Sequence, residues 1–376
     1  MAHAYTPGLR VARKTVVRKE RTLPMKGQVL VKEGDDVRAD QVVAETHLPG
    51  DVVSVNVVNR LGITPPEIKD YMLKKEGEAV RAGEPIALAK SLFGLLKTTV
   101  ESPIAGSVET VSTVTGQVLL RTPPRPVQVR AFVDGKVVAV REAEGVTVEA
   151  VGTYIQGIFG VGGETWGELA LGVAAKGEPL TPDKIREDHR GKIVVGGSLV
   201  PHATIERARK LGVAGIIAGG LHDADLRQLL GYDLGVAITG QETIGLTVVV
   251  TEGFGRIDMA DRTFALLGQR AGAKTSISGA TQIRAGVIRP EIVIPYEGKD
   301  RGGAAPPETE KSGMKPGDRI RVIRSPYFGR IGRVKSLPHE LRVVESETKV
   351  RVLELEFEPG EAVVIPRANV EVIEEQ

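Results

Sequence analysis

KGQVLVKEGDDVRADQVVAET (residues 26–46) is a stretch that the chain soon repeats, as LKKEGEAVRAGEPIALAK (residues 73–90). Each copy has a short β-run, a Glu-Gly turn, a valine, an Ala-Asp or Ala-Gly step, and another apolar run. A third stretch, SPIAGSVETVSTVTGQVLLR (residues 102–121), continues the pattern of short strands and tight turns. Internal repeats of this kind indicate a structural unit that is used more than once. We therefore predict a β domain over residues 1–126, built from short strands in similar halves.

This repeat resembles the biotinyl/lipoyl-like folds and the related barrel-sandwich hybrid domains, such as that of the Rnf complex C subunit. The resemblance implies a flattened sandwich of two similar halves. In the carrier families it also implies an exposed lysine, with characteristic flanking residues, at a set spacing before the proline of a Pro-x-x-Gly motif. Here that proline is Pro103, and the nearest lysine, Lys97, lacks both the spacing and the flanks. We therefore expect a structural or docking role for this domain and no cofactor.

Charge and composition restrict the classes of partner and site. The net charge of the 376-residue chain is only +2, so binding to nucleic acid would have to come from local patches. The absence of cysteine excludes disulfides, Cys-ligated zinc, iron–sulfur ligation and thiol catalysis. We find no apolar leader and no apolar run long enough to span a membrane, and we expect a cytoplasmic protein without membrane insertion. The basic segment 1–26 is either a solvated edge strand or a nucleic-acid-binding arm.

The middle of the chain changes from β to α/β patterns. Residues 127–190 are a β/Gly-rich region whose glycines either form turns or bind a phosphate. In residues 191–295, apolar runs alternate with helices that we predict over residues 202–211, around residues 223–230 and over residues 259–267. The apolar runs are KIVVGG (192–197), GIIAGG (215–220), GVAITG (235–240) and LTVVVTEGFG (246–255). This alternation predicts an α/β module with a mostly parallel sheet.

Glycine-rich polar turns follow all four apolar runs of the α/β module. Ligands of open α/β sheets bind outside the carboxyl ends of the strands, where glycine permits close approach to the backbone. The same residue types also cap helices and close turns without any ligand, so both interpretations stay open. We assign no metal site and no catalytic residue. The candidate ligand-binding residues are Gly197, Ser198, His202, His222, Asp223, Thr239, Glu242, Thr251 and Glu252.

The C-terminal part begins with a Gly/Pro-rich charged segment, residues 296–313, that we predict to be a flexible linker. It is followed by GDRIRVIRSPYFGRIGRVKSLP (residues 317–338), two alternating strands joined by a glycine-containing turn. Between Lys315 and Lys335 there are seven basic residues against one aspartate. The pattern resembles a KOW motif, which occurs in small SH3-like barrels of transcription elongation factors and ribosomal proteins. The resemblance implies an SH3-like β-barrel over residues 314–376 that contacts nucleic acid or a partner.

Six basic residues are the candidates for that contact: Arg319, Arg321, Arg324, Arg330, Arg333 and Lys335. Strand alternation predicts that Arg319 and Arg321 project together, as do Arg333 and Lys335. Arg330, in the turn, is expected to be the most exposed of the six. The alternative is that these side chains only solubilise the barrel and pair with its own glutamates.

The sequence as a whole predicts a multidomain protein that is β-rich plus α/β. We interpret it as a non-catalytic binding or adaptor protein that contacts RNA, or a ribosome- or RNA-polymerase-type complex, through the KOW-like barrel. The alternative is an accessory or scaffold subunit of a metabolic cofactor-enzyme complex, with a protein partner and a small-ligand site in the α/β module. An enzyme working at the α/β strand ends is the third hypothesis.

Overall fold

The computed structural model describes residues 9–91, 96–232, 240, 242–282, 288–298, 314–322, 327, 330–338, 340–343, 349–357 and 360–372. In these ranges the chain is β-rich, with a large mixed sheet, smaller sheets and a C-terminal half-barrel. The predicted coarse fold class is thereby confirmed. No helix in the described ranges is long and apolar enough to cross a membrane.

The described N-terminal part consists of thirteen strands, most of them short and two of them twelve residues long, and two short helices. In chain order these are β1 (Val11–Thr22), β2 (Gln28–Val29), β3 (Asp36–Val37), β4 (Val42–Leu48), β5 (Val52–Asn56), α1 (Val57–Leu61), α2 (Ile68–Tyr71), β6 (Ala79–Val80), β7 (Pro85–Ser91), β8 (Leu96–Glu101), β9 (Gly106–Val111), β10 (Gln117–Arg121), β11 (Arg125–Arg130), β12 (Gly135–Arg141) and β13 (Gly145–Gln156). Three small sheets have the strand orders β5-β10-β9-β6, β11-β4-β2 and β7-β8.

The sequence repeat is a repeat in local structure. Each copy makes a two-residue strand, a tight turn and a seven-residue strand: β3 and β4 in the first copy, β6 and β7 in the second. A side chain closes each turn, because the Arg38 N–H donates to Gln41 Oε1 (3.3 Å) and the Arg81 N–H donates to Glu84 Oε2 (2.8 Å). The copies nevertheless pack into two different hydrophobic cores.

The first of these cores crosses the predicted domain boundary at residue 126. It joins Val37 and Val43 of the first repeat to Val146 and Val148 of β13 and to Val293 further along the chain. The second core is built from the second repeat, β9 and β10, and includes the fully buried Ile86 and Leu120.

The middle of the chain completes an 11-stranded mixed sheet. In chain order, this part contains the strands and helices β14 (Phe159–Val161), β15 (Glu164–Leu171), β16 (Ile193–Val195), α3 (His202–Leu211), β17 (Gly215–Leu221), α4 (Asp223–Leu230), β18 (Thr247–Phe254), α5 (Asp261–Gln269), β19 (Lys274–Ser278) and β20 (Glu291–Pro295). The order of the strands in the sheet is β14-β18-β17-β16-β15-β19-β20-β13-β12-β3, and β1 pairs with β13. Only β15 through β18 are parallel to one another; β19 and β20 run antiparallel to their neighbours. The three predicted helices are present, whereas residues 235–239 of the predicted strand 235–240 lie outside the described residues.

The C-terminal half-barrel contains β21 (Arg319–Val322), β22 (Ile331–Ser336), β23 (Leu341–Val343), β24 (Lys349–Phe357), β25 (Glu361–Pro366) and β26 (Val370–Val372). The sheet order is β23-β24-β22-β21-β26, with β25 paired to β24. Alternate residues such as Ile320, Val334 and Leu355 point inward and form its core, which also buries Phe357. Most of the predicted linker, residues 299–313, lies outside the described residues.

Candidate nucleic-acid interface

The half-barrel displays a basic hairpin formed by β21 and β22. The facing residues are Arg319 with Arg333, Ile320 with Gly332, and Arg321 with Ile331. Because Ile320, Val322 and Val334 are buried in the core, the alternate positions point outward. We call these positions, together with the exposed Lys335, the basic face: Arg319, Arg321, Ile331, Arg333 and Lys335. Arg319, Arg321 and Arg333 project from one face of the sheet, whereas Lys335 lies at a β-bulge between Val334 and Ser336, where strand alternation does not fix the direction of its side chain.

Two guanidinium side chains lie directly opposite each other on the basic face. Arg319 and Arg333 are facing residues of adjacent antiparallel strands, and like charges in such positions destabilise a sheet. The Arg333 side chain is exposed and donates to the carbonyl oxygen of Gly317 at 3.4 Å. Lys335 is exposed on the same strand. Arg333 also faces Glu356 on its other neighbouring strand, so part of this repulsion is offset within the half-barrel.

Arg321 differs from the other members of the basic face because it is buried. Its guanidinium donates a hydrogen bond to Glu252 Oε2 at the end of β18, and both side chains are only 5% exposed. The other carboxylate oxygen, Oε1, accepts from the Ala260 N–H at 3.0 Å, just before α5. One predicted phosphate-binding residue and one predicted ligand-binding residue thus neutralise each other where the half-barrel contacts the large sheet.

Arg330 is exposed, as are Arg333 and Lys335, but it is held in place by contacts within the half-barrel. It forms an ion pair with Glu361 at 2.8 Å, and its guanidinium carbon lies 3.8 Å from the centre of the Phe357 ring. Its charge is therefore already engaged by a carboxylate and an aromatic face. Arg324, the sixth candidate, lies outside the described residues.

A cleft of about 350 Å³ opens beside the basic face. It is lined by two arginines, one glutamate, two apolar side chains and two glycines: Arg319, Arg333, Glu356, Ile331, Phe357, Gly332 and Gly360. Glycine is required at position 332, because a Cβ atom there would lie 2.7 Å from the carbonyl oxygen of Glu356. The cleft therefore combines positive charge with one carboxylate.

The carboxyl edge of the parallel strands is filled by the chain itself. The loop after β15 crosses the end of β16, where the Ser198 N–H donates to the Glu178 carbonyl (3.0 Å) and the Ser198 hydroxyl to the Gly177 carbonyl (2.8 Å). The loop after β18 covers β17, since a Cβ atom on Gly220 would lie 1.9 Å from the Gly255 carbonyl oxygen. These glycines let the protein's own backbone approach, which agrees with the second of the two interpretations left open by the sequence, turns that close without a ligand.

The other ligand-binding candidates also have partners within the protein. Glu242 Oε2 accepts from the Gly240 N–H at 2.6 Å, and the Thr251 hydroxyl donates to the Ala218 carbonyl at 3.3 Å. On α4, Asp223 pairs with Arg227 at 3.0 Å.

The remaining ligand-binding candidates are two histidines, a glycine and a threonine. His202 Nε2 is 3.9 Å from a Glu206 carboxylate oxygen, and His222 is the exposed N-cap residue of α4. Gly197 packs against the backbone of residues 175–178, whereas Thr239 lies outside the described residues. Of the eight candidates that the structure describes, Gly197 and Ser198 are chain neighbours, and most of the others contact different parts of the protein.

Three cations of the N-terminal basic segment form ion pairs within the protein. In β1, Arg18 pairs with Glu149, Lys19 with Glu291 and Arg21 with Glu164. A second cleft, of about 420 Å³, adjoins Arg21, Arg130 and Trp166. Its arginines are engaged as well, because both terminal nitrogens of Arg21 contact Glu164 and Arg130 donates to the Asp40 carbonyl. These observations make the half-barrel the better candidate for binding an anionic polymer.

Sequence reasoning missed Glu356, the carboxylate of the cleft on the half-barrel. The alternation in LELEF (residues 353–357) does show that Glu354 and Glu356 point away from the core. What the sequence lacks is the register between β22 and β24, which sets Glu356 opposite Arg333. Within the described ranges, no group of three or more histidine, aspartate or glutamate side chains is arranged to hold a metal ion.

Comparison with known proteins adds no assignment. No protein-family model matches the chain, and no curated protein matches its sequence.

Proposed function

We propose that the protein is a non-catalytic adaptor that binds single-stranded RNA through the basic face, and that its half-barrel is a KOW-type SH3-like module. The observation that carries this proposal is the facing pair of Arg319 and Arg333, continued by the exposed Lys335. This arrangement concentrates positive charge on one face of the half-barrel, which favours a bound polyanion. The barrel-sandwich hybrid assignment of the N-terminal repeat belongs to the same proposal and gives that part a structural or docking role.

Three cations of the basic face would contact phosphates: Arg319, Arg333 and Lys335. Arg321 is excluded from this role because Glu252 already neutralises it in a buried pair. Each phosphate contact to a single strand contributes about −0.7 to the slope of log affinity against log salt concentration. We therefore expect a slope of about −2 for a short oligouridylate.

The test is fluorescence anisotropy of a labelled ten-residue oligouridylate, measured with the full chain at several salt concentrations. Replacing Arg333 and Lys335 together by glutamate should weaken binding strongly at low salt and make the slope less steep by roughly 1.4. Arg351→Glu is the matched control, because Arg351 is exposed on β24 of the same half-barrel but lies outside the basic face. It should leave the slope unchanged.

Two results would refute the proposal: no binding of the oligouridylate by the wild-type chain at low salt, or equal binding by the double variant. In either case the basic face would be assigned to contact with an acidic protein surface instead. Circular dichroism of each variant confirms that the fold is retained.

A further inference from the structure

The cleft beside the basic face has mixed charge, and this property restricts its ligand. Arg319 and Arg333 line it together with Glu356. A simple anion would be attracted by the arginines and repelled by the carboxylate. A simple cation would be attracted by the carboxylate and repelled by the arginines. The cleft suits a ligand that carries a negative group and, close to it, N–H groups that donate hydrogen bonds.

Glu356 is set apart from its acidic neighbours by its contacts. Glu354 accepts a hydrogen bond from the Ser336 hydroxyl at 2.8 Å, and Glu361 pairs with Arg330 at 2.8 Å. In the part of the chain that the structure describes, Glu356 has no such hydrogen bond or ion pair, although Arg333 faces it on the neighbouring strand. Its two carboxylate oxygens are therefore available as acceptors for a ligand.

Among the RNA bases, guanine matches two adjacent carboxylate oxygens. Its Watson–Crick edge presents the N1–H and N2–H donors side by side, whereas adenine and cytosine present one amino group and uracil one imide N–H. Proteins read single-stranded RNA bases on this edge. The cleft volume of about 350 Å³ lies within the range of small-molecule sites, and the partly exposed Ile331 supplies an apolar surface for a base.

We propose that this cleft binds one guanine nucleotide of the RNA strand. Glu356 accepts hydrogen bonds from the N1–H and N2–H groups of the base, while Arg319 and Arg333 hold the adjoining phosphate. The inference rests on the proposed function, since it takes the basic face as the path of the strand. It adds base selectivity to a contact that otherwise depends only on the phosphates.

The experiment compares four labelled ten-residue RNAs: oligouridylate and three versions carrying one central guanosine, inosine or adenosine. Inosine retains the N1–H group of guanine and lacks the N2 amino group. A bidentate contact predicts that the guanosine probe binds at least about fivefold more tightly than oligouridylate, with inosine between them and adenosine equal to uridine. Glu356→Gln should abolish this order.

Glu354→Gln is the control, because Glu354 lies two residues away on the same strand and already has Ser336 as its partner. It should retain the preference for guanosine. Equal affinity for all four probes, or a preserved preference in Glu356→Gln, would overturn the guanine site while leaving phosphate binding intact. Failure of every probe to bind would instead refute the proposed function, and the guanine site with it.

Discussion

Substituting Arg321 by methionine tests the contact between the half-barrel and the large sheet. Both Arg321 and Glu252 are 5% exposed, so their ion pair belongs to the buried class. Removing one partner of a buried pair costs about 3–5 kcal/mol, because the other charge remains buried without compensation. An exposed pair contributes no more than about 1 kcal/mol. The two classes are well separated, and the free energy of unfolding distinguishes them.

In the Arg321→Met variant, the group left buried without its ion-pair partner is the Glu252 carboxylate. It retains the hydrogen bond from the Ala260 N–H at 3.0 Å, which offsets part of the cost. We therefore expect a loss of about 3 kcal/mol, at the lower end of the range for buried pairs. The loss has an upper limit, because separation of the half-barrel from the sheet would return Glu252 to water.

The assay is urea unfolding followed by fluorescence, with the free energy extrapolated to water. Trp166 is the only tryptophan of the chain and lies in β15, so the signal reports on the large sheet. Arg209→Met is the matched control, since Arg209 forms an exposed pair with Glu206 on α3 at 2.7 Å. We expect that control to lose no more than about 0.5 kcal/mol.

A double-mutant cycle with Glu252→Gln completes the test. If the two residues interact as described, the double variant should lose less than the sum of the single losses, by about 0.5–3 kcal/mol. A loss below about 1 kcal/mol in Arg321→Met, with additive effects in the cycle, would refute the buried contact. RNA binding by Arg321→Met should equal that of the wild type, because the side chain is not available to phosphates.

Further predictions concern four other positions. Gly220→Ala should lose more than about 2 kcal/mol or fail to fold, because its Cβ would meet the Gly255 carbonyl. Gly268→Ala should leave the stability unchanged or raise it by up to about 1 kcal/mol, because the space around Gly268, near the end of α5, is open. Thermal unfolding of the two glycine variants measures both effects. Burial lowers the pKa of the His189 imidazole, so the unfolded chain binds this proton more readily, and stability should fall as the pH drops below about 6.5. That dependence should be weaker in His189→Gln, as urea titrations at several pH values would reveal. Arg330→Ala should cost about 1–2 kcal/mol through loss of the Phe357 and Glu361 contacts, and Arg330→Lys less, by the same assay.

Local features of the fold were predictable because they depend on neighbouring residues. The Glu-Gly turns of the repeat and the alternation of Ile320 and Val322 with arginines gave the correct strands and faces. The helix over residues 202–211 was predicted to the residue, since its apolar positions recur on one side and Gly212 ends it in a left-handed conformation.

Contacts between distant segments were not predictable in this way. Arg321 and Glu252 are 69 residues apart, and nothing in their local sequences indicates that they meet. The glycines of the strand ends have the pattern of a ligand-binding edge, yet in the structure that edge is covered by the loops after β15 and β18. A glycine in the sequence indicates that something approaches the backbone closely at that position. It does not indicate whether this is a ligand or another part of the protein's own backbone.

Mapping the RNA contact by crosslinking tests the central claim most directly. An oligouridylate containing 4-thiouridine is irradiated with the full chain, and the protein is then cleaved after glutamate. Because no glutamate lies between Glu310 and Glu340, the whole basic hairpin is recovered in one peptide, residues 311–340. We predict that this peptide carries the main crosslink and that a variant with Arg333 and Lys335 replaced by glutamine, which adds no cleavage site for the protease, loses it. A main crosslink in β1 or in the loops over the parallel strands, with none in residues 311–340, would contradict the account.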